Sequence, residues 1–472
     1  MSKSIQDQIK FGTDGWRGVI SDNFTFANVA IVGQAIVEWI KSNKEFKNKK
    51  KRVAVGYDAR FLAREYAETI ASILAKNGIE VFMSDRYLAT PSLSYGVVEI
   101  KGVCGVMITA SHNPAKFNGI KIKTAQGGGA SKDITDVVEK FLCKTKVKTM
   151  DFDDAIKTKS IKMYNFNEAY LKFMKSYVDL KAIKKSKFHV VQDAMNGSGI
   201  GIMENVLKGS SIKLEMMRDD YNPSFGNVKP EPIEDYVPEL IKRMKNEKID
   251  LGLILDGDAD RIGAVAAGGE FINAQKILGL LILHLVRNRG CEGSVVKTLC
   301  GSTMIDKICE KLNLKLHETP VGFKYISDLM VSERVIAGGE EAGGMGVQDY
   351  IPERDGNLAG LLLLEMMVKQ NKNIKQILDD MEREFGRYYY LRADIDLKPG
   401  QKVSIAQFKK IKTVAGKKVV KVNDLDGVKL ILEDETWLMF RPSGTEPLVR
   451  VYSEAKSLKR SKELIAFGRK AL

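Results

Sequence analysis

Apolar residues along this chain fall into two patterns that alternate. Short continuous runs read as buried strands: Val53-Ala54-Val55-Gly56, Val103 to Thr109, His189-Val190-Val191, Leu251 to Leu255 and Val335-Ile336-Ala337. Between them, apolar positions recur at helical spacing, as at Ile70, Ile73 and Leu74 within Tyr66 to Lys76. Further helices are predicted over Asn167 to Val178, Ala274 to Arg287 and Leu358 to Lys369. Strands alternating with helices predict α/β domains with mostly parallel sheets. The C-terminal part differs. Trp437 to Phe440 and Leu448 to Tyr452 are short strands around a Gly/Ser/Pro turn, followed by a helix over Lys459 to Leu472, which predicts a smaller α+β domain.

A chain of 472 residues suggests three or four domains. The boundaries follow from shifts in composition. The first unit ends near 160, where a Lys-rich stretch ends; the second runs 161–268, to Gly268-Gly269; the third 269–387; and the fourth 388–472. The composition is that of a soluble globular protein, with 44% apolar and 28% charged residues and no apolar run long enough to span a bilayer. A polar N-terminus without an apolar core argues against secretion. Five scattered cysteines (104, 143, 291, 300 and 309) form no C-x-x-C pair. A disulfide framework or structural zinc site is therefore not expected, and a reducing cytoplasm is the natural setting. Only four His are present, which disfavours His-based metal chemistry.

Net charge is +14, from 74 basic and 60 acidic residues. Much of the excess lies in runs at Lys41 to Arg52, Lys144 to Lys162 and Lys181 to Lys187, the usual mark of solvated faces. No nucleic-acid signature accompanies them.

Several strands run directly into loops rich in reactive side chains, and such positions hold ligands in parallel sheets. Thr109-Ala110-Ser111-His112-Asn113-Pro114 offers a serine hydroxyl that can act as a nucleophile or phosphate carrier, although a Ser-His pair alone is equally a structural turn. Asp256-Gly257-Asp258-Ala259-Asp260-Arg261 sets three carboxylates at alternate positions. Crowding like charges is costly unless a hard divalent cation such as Mg²⁺ takes them as oxygen ligands. The loop is not an EF-hand, because Arg261 and Ala267 stand where that motif needs Gly and Glu. Gly338-Gly339-Glu340-Glu341-Ala342-Gly343-Gly344 offers two glutamates suited to sugar hydroxyls, or simply a flexible acidic turn. Arg441-Pro442-Ser443-Gly444-Thr445, with Arg450 beyond it, can form an anion-binding nest or a plain hairpin turn. No Walker A pattern occurs.

Taken together, these motifs resemble the α-D-phosphohexomutase family, which includes phosphoglucomutases and phosphomannomutases. The resemblance spans the chain in family order: F-G-T-D-G-W-R-G (residues 11–18), T-A-S-H-N-P, D-G-D-A-D-R, G-E-E-A-G and R-P-S-G-T. Supporting segments are Phe117-Asn118-Gly119-Ile120-Lys121, Thr319-Pro320-Val321-Gly322 and Arg354-Asp355-Gly356. It implies four domains around one cleft, three of them related α/β units. It also implies that Ser111 is the phosphoserine of the resting enzyme, and that Asp256, Asp258 and Asp260 hold Mg²⁺ together with a phosphoserine oxygen.

By the same resemblance, Ser111 exchanges its phosphoryl group with a hexose monophosphate by way of a hexose 1,6-bisphosphate. Arg17 and Arg261 would stabilise the phosphoryl charge, and Lys121 would be a general acid or base if its pKa is lowered. Arg441, Ser443, Gly444, Thr445 and Arg450 would clamp the non-reacting phosphate. Glu340 and Glu341 would meet the sugar, with Lys297 and Arg354 as further ligand contacts.

Two positions depart from the family pattern. Ala342 stands where Ser is common, which removes a hydroxyl–sugar bond. Gly344 stands where some members carry His, which shifts weight to Lys121. The Gly-Glu-Glu loop with Thr-Pro-Val-Gly upstream looks more like bacterial-type glucomutases than glucosamine mutases. Glucose 1-phosphate is therefore the expected substrate, with mannose phosphates or both sugars as the alternative. A phosphatase, a non-catalytic sugar-phosphate sensor and a nucleic-acid binder are lesser alternatives. Partners are expected to be small hexose phosphates, without nucleic acid or membrane, and the oligomeric state is left open.

Overall fold

The computed structural model describes residues 8–12, 14–398, 403–442 and 448–472. Four sheets, each with its helices, follow one another along the chain. The first has seven strands, in the spatial order Phe11–Gly12, Gly15–Val19, Phe117–Thr124, Cys104–Ile108, Arg52–Tyr57, Glu80–Ser84 and Ile161–Tyr164. Cys104–Ile108 lies inside it, parallel to Arg52–Tyr57 and antiparallel to Phe117–Thr124. All five of its residues are buried, as expected for a strand covered on both faces. Helices Phe26–Ser42 and Ala63–Lys76 pack on the sheet through one core that includes Val32, Ile36, Ile70, Ile73 and Leu74.

The first sheet runs past residue 160, where composition placed the end of its unit. Ile161–Tyr164 adds in parallel to Glu80–Ser84 as an edge strand. Its Lys162 donates to Glu80 Oε1 at 2.7 Å, and only Ile161 is fully buried. A strand so short and half-polar reads as part of the Lys-rich stretch before it.

The second sheet orders Glu270–Ile272, Ile262–Ala266, Leu251–Leu255, His189–Asp193 and Lys213–Met217. The third orders Leu316–Thr319, Ser294–Thr298, Val335–Gly339 and Met345–Val347. Residues of these two units share one hydrophobic core, with Leu253 and Ile262 beside Leu278, Leu358 and Leu362. The fourth sheet is wholly antiparallel: Tyr389–Asp396, Leu448–Ala455, Trp437–Pro442, Val428–Leu432, Lys417–Asn423 and Thr413–Val414, covered by helix Leu458–Lys470. It docks on the third unit through Leu299, Cys300, Trp437, Met439 and Tyr452, and through Asp426, which accepts from Val321 N at 2.9 Å.

Among the described residues, no helix is long and apolar enough to cross a membrane. The three loops at the carboxyl ends of Cys104–Ile108, Leu251–Leu255 and Val335–Gly339 converge. Ile262 N donates to Gly343 O at 3.0 Å, and Ser111 Oγ reaches Asp256.

Candidate active site

Ser111 is fully buried and has φ +52°, a left-handed conformation that costs a non-glycine residue energy. What holds it there is Arg60, also buried, whose guanidinium donates to four carbonyls of the loop: Ser111 and Asn113 at 2.6 Å, Pro114 and Phe117 at 3.0 Å. Arg60 Nε donates to Asp58 Oδ2 at 3.1 Å, and Thr109 Oγ1 donates to the same oxygen at 2.6 Å. Burial pushes the Asp58 carboxyl up to about 6, against the pull of Arg60 and Thr109. Thr109 in turn accepts from Ser111 N at 2.8 Å.

Across the seam, Ser111 Oγ donates to Asp256 Oδ2 at 3.0 Å. Gly257 lies so close that a Cβ there would come within 2.6 Å of Ser111 O, which is why the second residue of this loop is glycine. Asp256, Asp258 and Asp260 are all fully buried, and their ligand oxygens lie within 4.8 Å of one another. One oxygen of Asp258 and one of Asp260 are taken. Asp258 Oδ2 accepts from Thr90 Oγ1 (2.6 Å) and Lys121 Nζ (2.8 Å), and Asp260 Oδ2 accepts from Lys121 Nζ (2.9 Å) and Arg354 Nη2 (2.7 Å). The other oxygen of each, Oδ1, is buried with no hydrogen-bond partner. Buried carboxylate oxygens without a hydrogen bond are costly. Three hard oxygen donors in this disposition fit a divalent cation of the Mg²⁺ kind. Burial, followed by repulsion from Asp260 and Asp258, raises Asp256 well above the usual carboxylate range.

Lys121 is the expected general acid or base. A general base would need a lowered pKa. Burial acts in that direction, but Asp14, Asp258 and Asp260 outweigh it and hold the ammonium above its ordinary value. Lys121 Nζ lies 2.9 Å from Asp14 Oδ2 as well as on Asp258 and Asp260. In this arrangement the ammonium form is favoured, the form that can donate a proton.

Arg17 and Arg261 flank the residues that follow Ser111. Arg17 Nη1 donates to Asn113 Oδ1 at 2.5 Å, and Arg261 Nη1 contacts His112 Nδ1. Burial, then the charges of Arg261 and Arg17, push His112 well below its usual value, so its ring is neutral. Glu340 is buried and receives Arg354 Nη1 at 3.1 Å. Arg354 also reaches Asp14 at 2.8 Å, and through Asp260 it joins the aspartate loop to the glutamate loop. Glu341 accepts from Thr298 Oγ1 at 3.1 Å.

Lys297 lies outside this cluster. It pairs in register with Gly339, beside Glu340, but its ammonium is engaged with Asp306 and with Ser302 O at 3.4 Å. Arg441 and Arg450 stand opposite each other on adjacent strands, and Arg441 Nε donates to Asp426 Oδ2 at 2.9 Å. Ser443, Gly444 and Thr445 lie outside the described residues.

Sequence reasoning did not single out Asp58, Arg60 or Thr90. Asp58-Ala59-Arg60 follows the carboxyl end of strand Arg52–Tyr57, the same position that flagged the other loops. Thr90-Pro91 opens helix Thr90–Glu99 and carried no such signal.

Comparison with known proteins bears on the whole chain. Models for phosphoglucomutase/phosphomannomutase alpha/beta/alpha domains I, II and III match residues 8–148, 168–269 and 273–385, and the C-terminal domain model matches 395–470. A phosphoglucomutase/phosphomannomutase of Thermococcus kodakarensis is 29% identical over 463 residues, covering 98% of each chain. A phosphoglucosamine/phosphogalactosamine mutase of Sulfurisphaera tokodaii is 30% identical over 448 residues, covering 94% of this chain and 95% of the relative. A crystal structure from Thermus thermophilus that carries the name phosphomannomutase superposes with a TM-score of 0.87 at 32% identity, covering 100% and 99% of the two chains. An Aspergillus fumigatus N-acetylphosphoglucosamine mutase, solved with GlcNAc-6P and magnesium, shares the fold at 16% identity and a TM-score of 0.61, covering 99% and 97%. With all four domain models matched in order and the loops converging on one cluster, the chain belongs to the phosphoglucomutase/phosphomannomutase family of phosphohexomutases.

Proposed function

We propose that the protein interconverts the 1- and 6-phosphates of a hexose, glucose 1-phosphate foremost, through phosphorylated Ser111 and a hexose 1,6-bisphosphate. The observation that carries this reading is Ser111 Oγ, 3.0 Å from Asp256 Oδ2, beside two buried aspartate oxygens that lack a hydrogen bond. The transferring group leaves Ser111 Oγ as its bond to phosphorus breaks and the sugar hydroxyl oxygen bonds to phosphorus; the proton that this hydroxyl gives up ends on Ser111 Oγ, which restores the serine hydroxyl. The intermediate then turns over, and its other phosphate returns to Ser111. Asp256, Asp258 and Asp260 would hold Mg²⁺, which supplies positive charge at the transferring phosphoryl group. Arg17 and Arg261, next to the Ser111 loop, pair with phosphoryl oxygens. Arg441 and Arg450 bind the phosphate that is not being transferred, and that remote binding energy positions the sugar. Glu340 accepts from sugar hydroxyls.

Relatives of similar identity are named for glucose, mannose and glucosamine phosphates, so the assay must separate these sugars. Turnover of glucose, mannose and glucosamine 1-phosphates is measured with Mg²⁺ and trace hexose 1,6-bisphosphate, with Ser111→Ala in parallel. The expected result is fastest turnover of glucose 1-phosphate, abolished in the variant. Undiminished turnover by Ser111→Ala would remove the phosphoserine from the mechanism. Faster turnover of mannose or glucosamine phosphate would reassign the sugar.

A further inference from the structure

Thr90 stands out because its polar groups serve another domain. It is the first residue of helix Thr90–Glu99, preceded by Ala89, which has no side chain to cap the helix. Its hydroxyl is not used for capping either. Thr90 N donates to Asp258 O at 2.9 Å, and Thr90 Oγ1 donates to Asp258 Oδ2 at 2.6 Å. Both residues are fully buried. One threonine of the first domain therefore grips both the backbone and the carboxylate of a loop in the second.

That grip decides which way the carboxylate faces. Asp258 Oδ2 is saturated by Thr90 and by Lys121 Nζ at 2.8 Å, and this leaves Oδ1 as the oxygen without a partner. The loop has little freedom to compensate. Ala259 is held at φ +58°, and Gly257 is pressed against Ser111 O. We propose that Thr90 is a positioning residue for the cation site: it aims Asp258 Oδ1 at the metal, so the site is complete only when the first two domains are docked. The inference rests on reading the three aspartates as a divalent-cation site. It adds that a residue touching neither metal nor sugar sets the affinity of that site.

Groups hydrogen-bonded to metal ligands typically govern affinity by about 10–100-fold. The test is Mn²⁺ binding to the full-length, metal-free protein, followed by electron paramagnetic resonance of free Mn²⁺, which requires no turnover. Thr90→Val keeps the shape and deletes the hydroxyl, and Thr90→Ser restores it. The expected result is about 10-fold or weaker binding by Thr90→Val, with Thr90→Ser near wild type and similar metal-free melting curves for all three. Should Thr90→Val fail to fold, Thr90→Ala makes the same deletion. Equal Mn²⁺ affinity in the hydroxyl-free variant and wild type overturns the proposal, as does a Thr90→Ser variant as weak as Thr90→Val. Wild-type protein that binds no Mn²⁺ overturns it together with the cation reading, whereas the Ser111 assay above reports separately on phosphoryl transfer.

Discussion

Gly344 and Arg354 compete for one space: a Cβ on Gly344 would lie 2.3 Å from Arg354 Cδ, 2.9 Å from its Cγ and 3.0 Å from Glu340 Oε2. The missing side chain at 344 is thus matched by the arginine stem laid across it. That stem carries a guanidinium fixed to Asp14, Asp260 and Glu340. Gly344→Ala is expected to displace Arg354 and to cost about 1–3 kcal/mol, as overpacking does. Urea unfolding together with mutase kinetics would register it as lower stability and a raised KM for the sugar phosphate. A variant indistinguishable from wild type would mean that Arg354 has slack the geometry does not show.

Arg60 makes four bonds to loop carbonyls and pairs with buried Asp58. Lysine cannot reproduce a planar fork. Arg60→Met would also leave Asp58 buried and unpaired, at a cost of about 3–5 kcal/mol. Chemical denaturation of the variant is expected to show that loss, and a change below about 1 kcal/mol would contradict it.

Asp355 supplies a pH signature. Burial raises its carboxyl to about 6, despite bonds from Leu358 N, Tyr170 and Tyr350. An unfolded aspartate titrates at about 3.9. Because the folded value is the higher one, the folded state binds the extra proton between these values. The associated stability is fully present below about pH 4 and is lost as pH rises through about 6. Asp355→Asn removes this term. Wild type is therefore expected to gain about 2–3 kcal/mol relative to the variant as pH falls from 7 to 4, read from paired unfolding curves. A constant difference across that range would show that Asp355 keeps an ordinary pKa.

Metal addition should stabilise the fold as well as activate it. Mg²⁺ at about 100 times its Kd adds about 2.7 kcal/mol by mass action. Thermal unfolding in Mg²⁺ against chelator is expected to show this shift in wild type and to lose it in Asp258→Asn. An equal shift in both proteins would place the binding elsewhere.

Much of the fold was legible because buried strands in parallel sheets appear as unbroken apolar runs, and Leu251–Leu255 lies where the pattern predicts it. The helix expected at Ala274 to Arg287 is also present, but it passes into a π-helical stretch at His284–Asn288 that periodicity does not reveal. The half-polar edge strand Ile161–Tyr164 was hidden inside a charged stretch. At the site, residue type pointed to Ser111, the aspartates and Glu340, because their chemistry shows at the level of single loops, whereas Arg354 entered only through the family resemblance. Arg60 and Thr90 were silent, since an arginine after a strand and a threonine before a proline have many structural uses.

Local pattern and residue chemistry settle which loops are reactive and in what order they occur. Partnership is decided only in three dimensions. Ser111 meets Asp256 across 145 positions of sequence, and Thr90 meets Asp258 across 168. Lys121 shows why this matters. Burial alone would lower its pKa, but three carboxylates converging on its ammonium reverse the sign, because electrostatic energy depends on distance and on the exclusion of water, both of which arise only when separate domains dock.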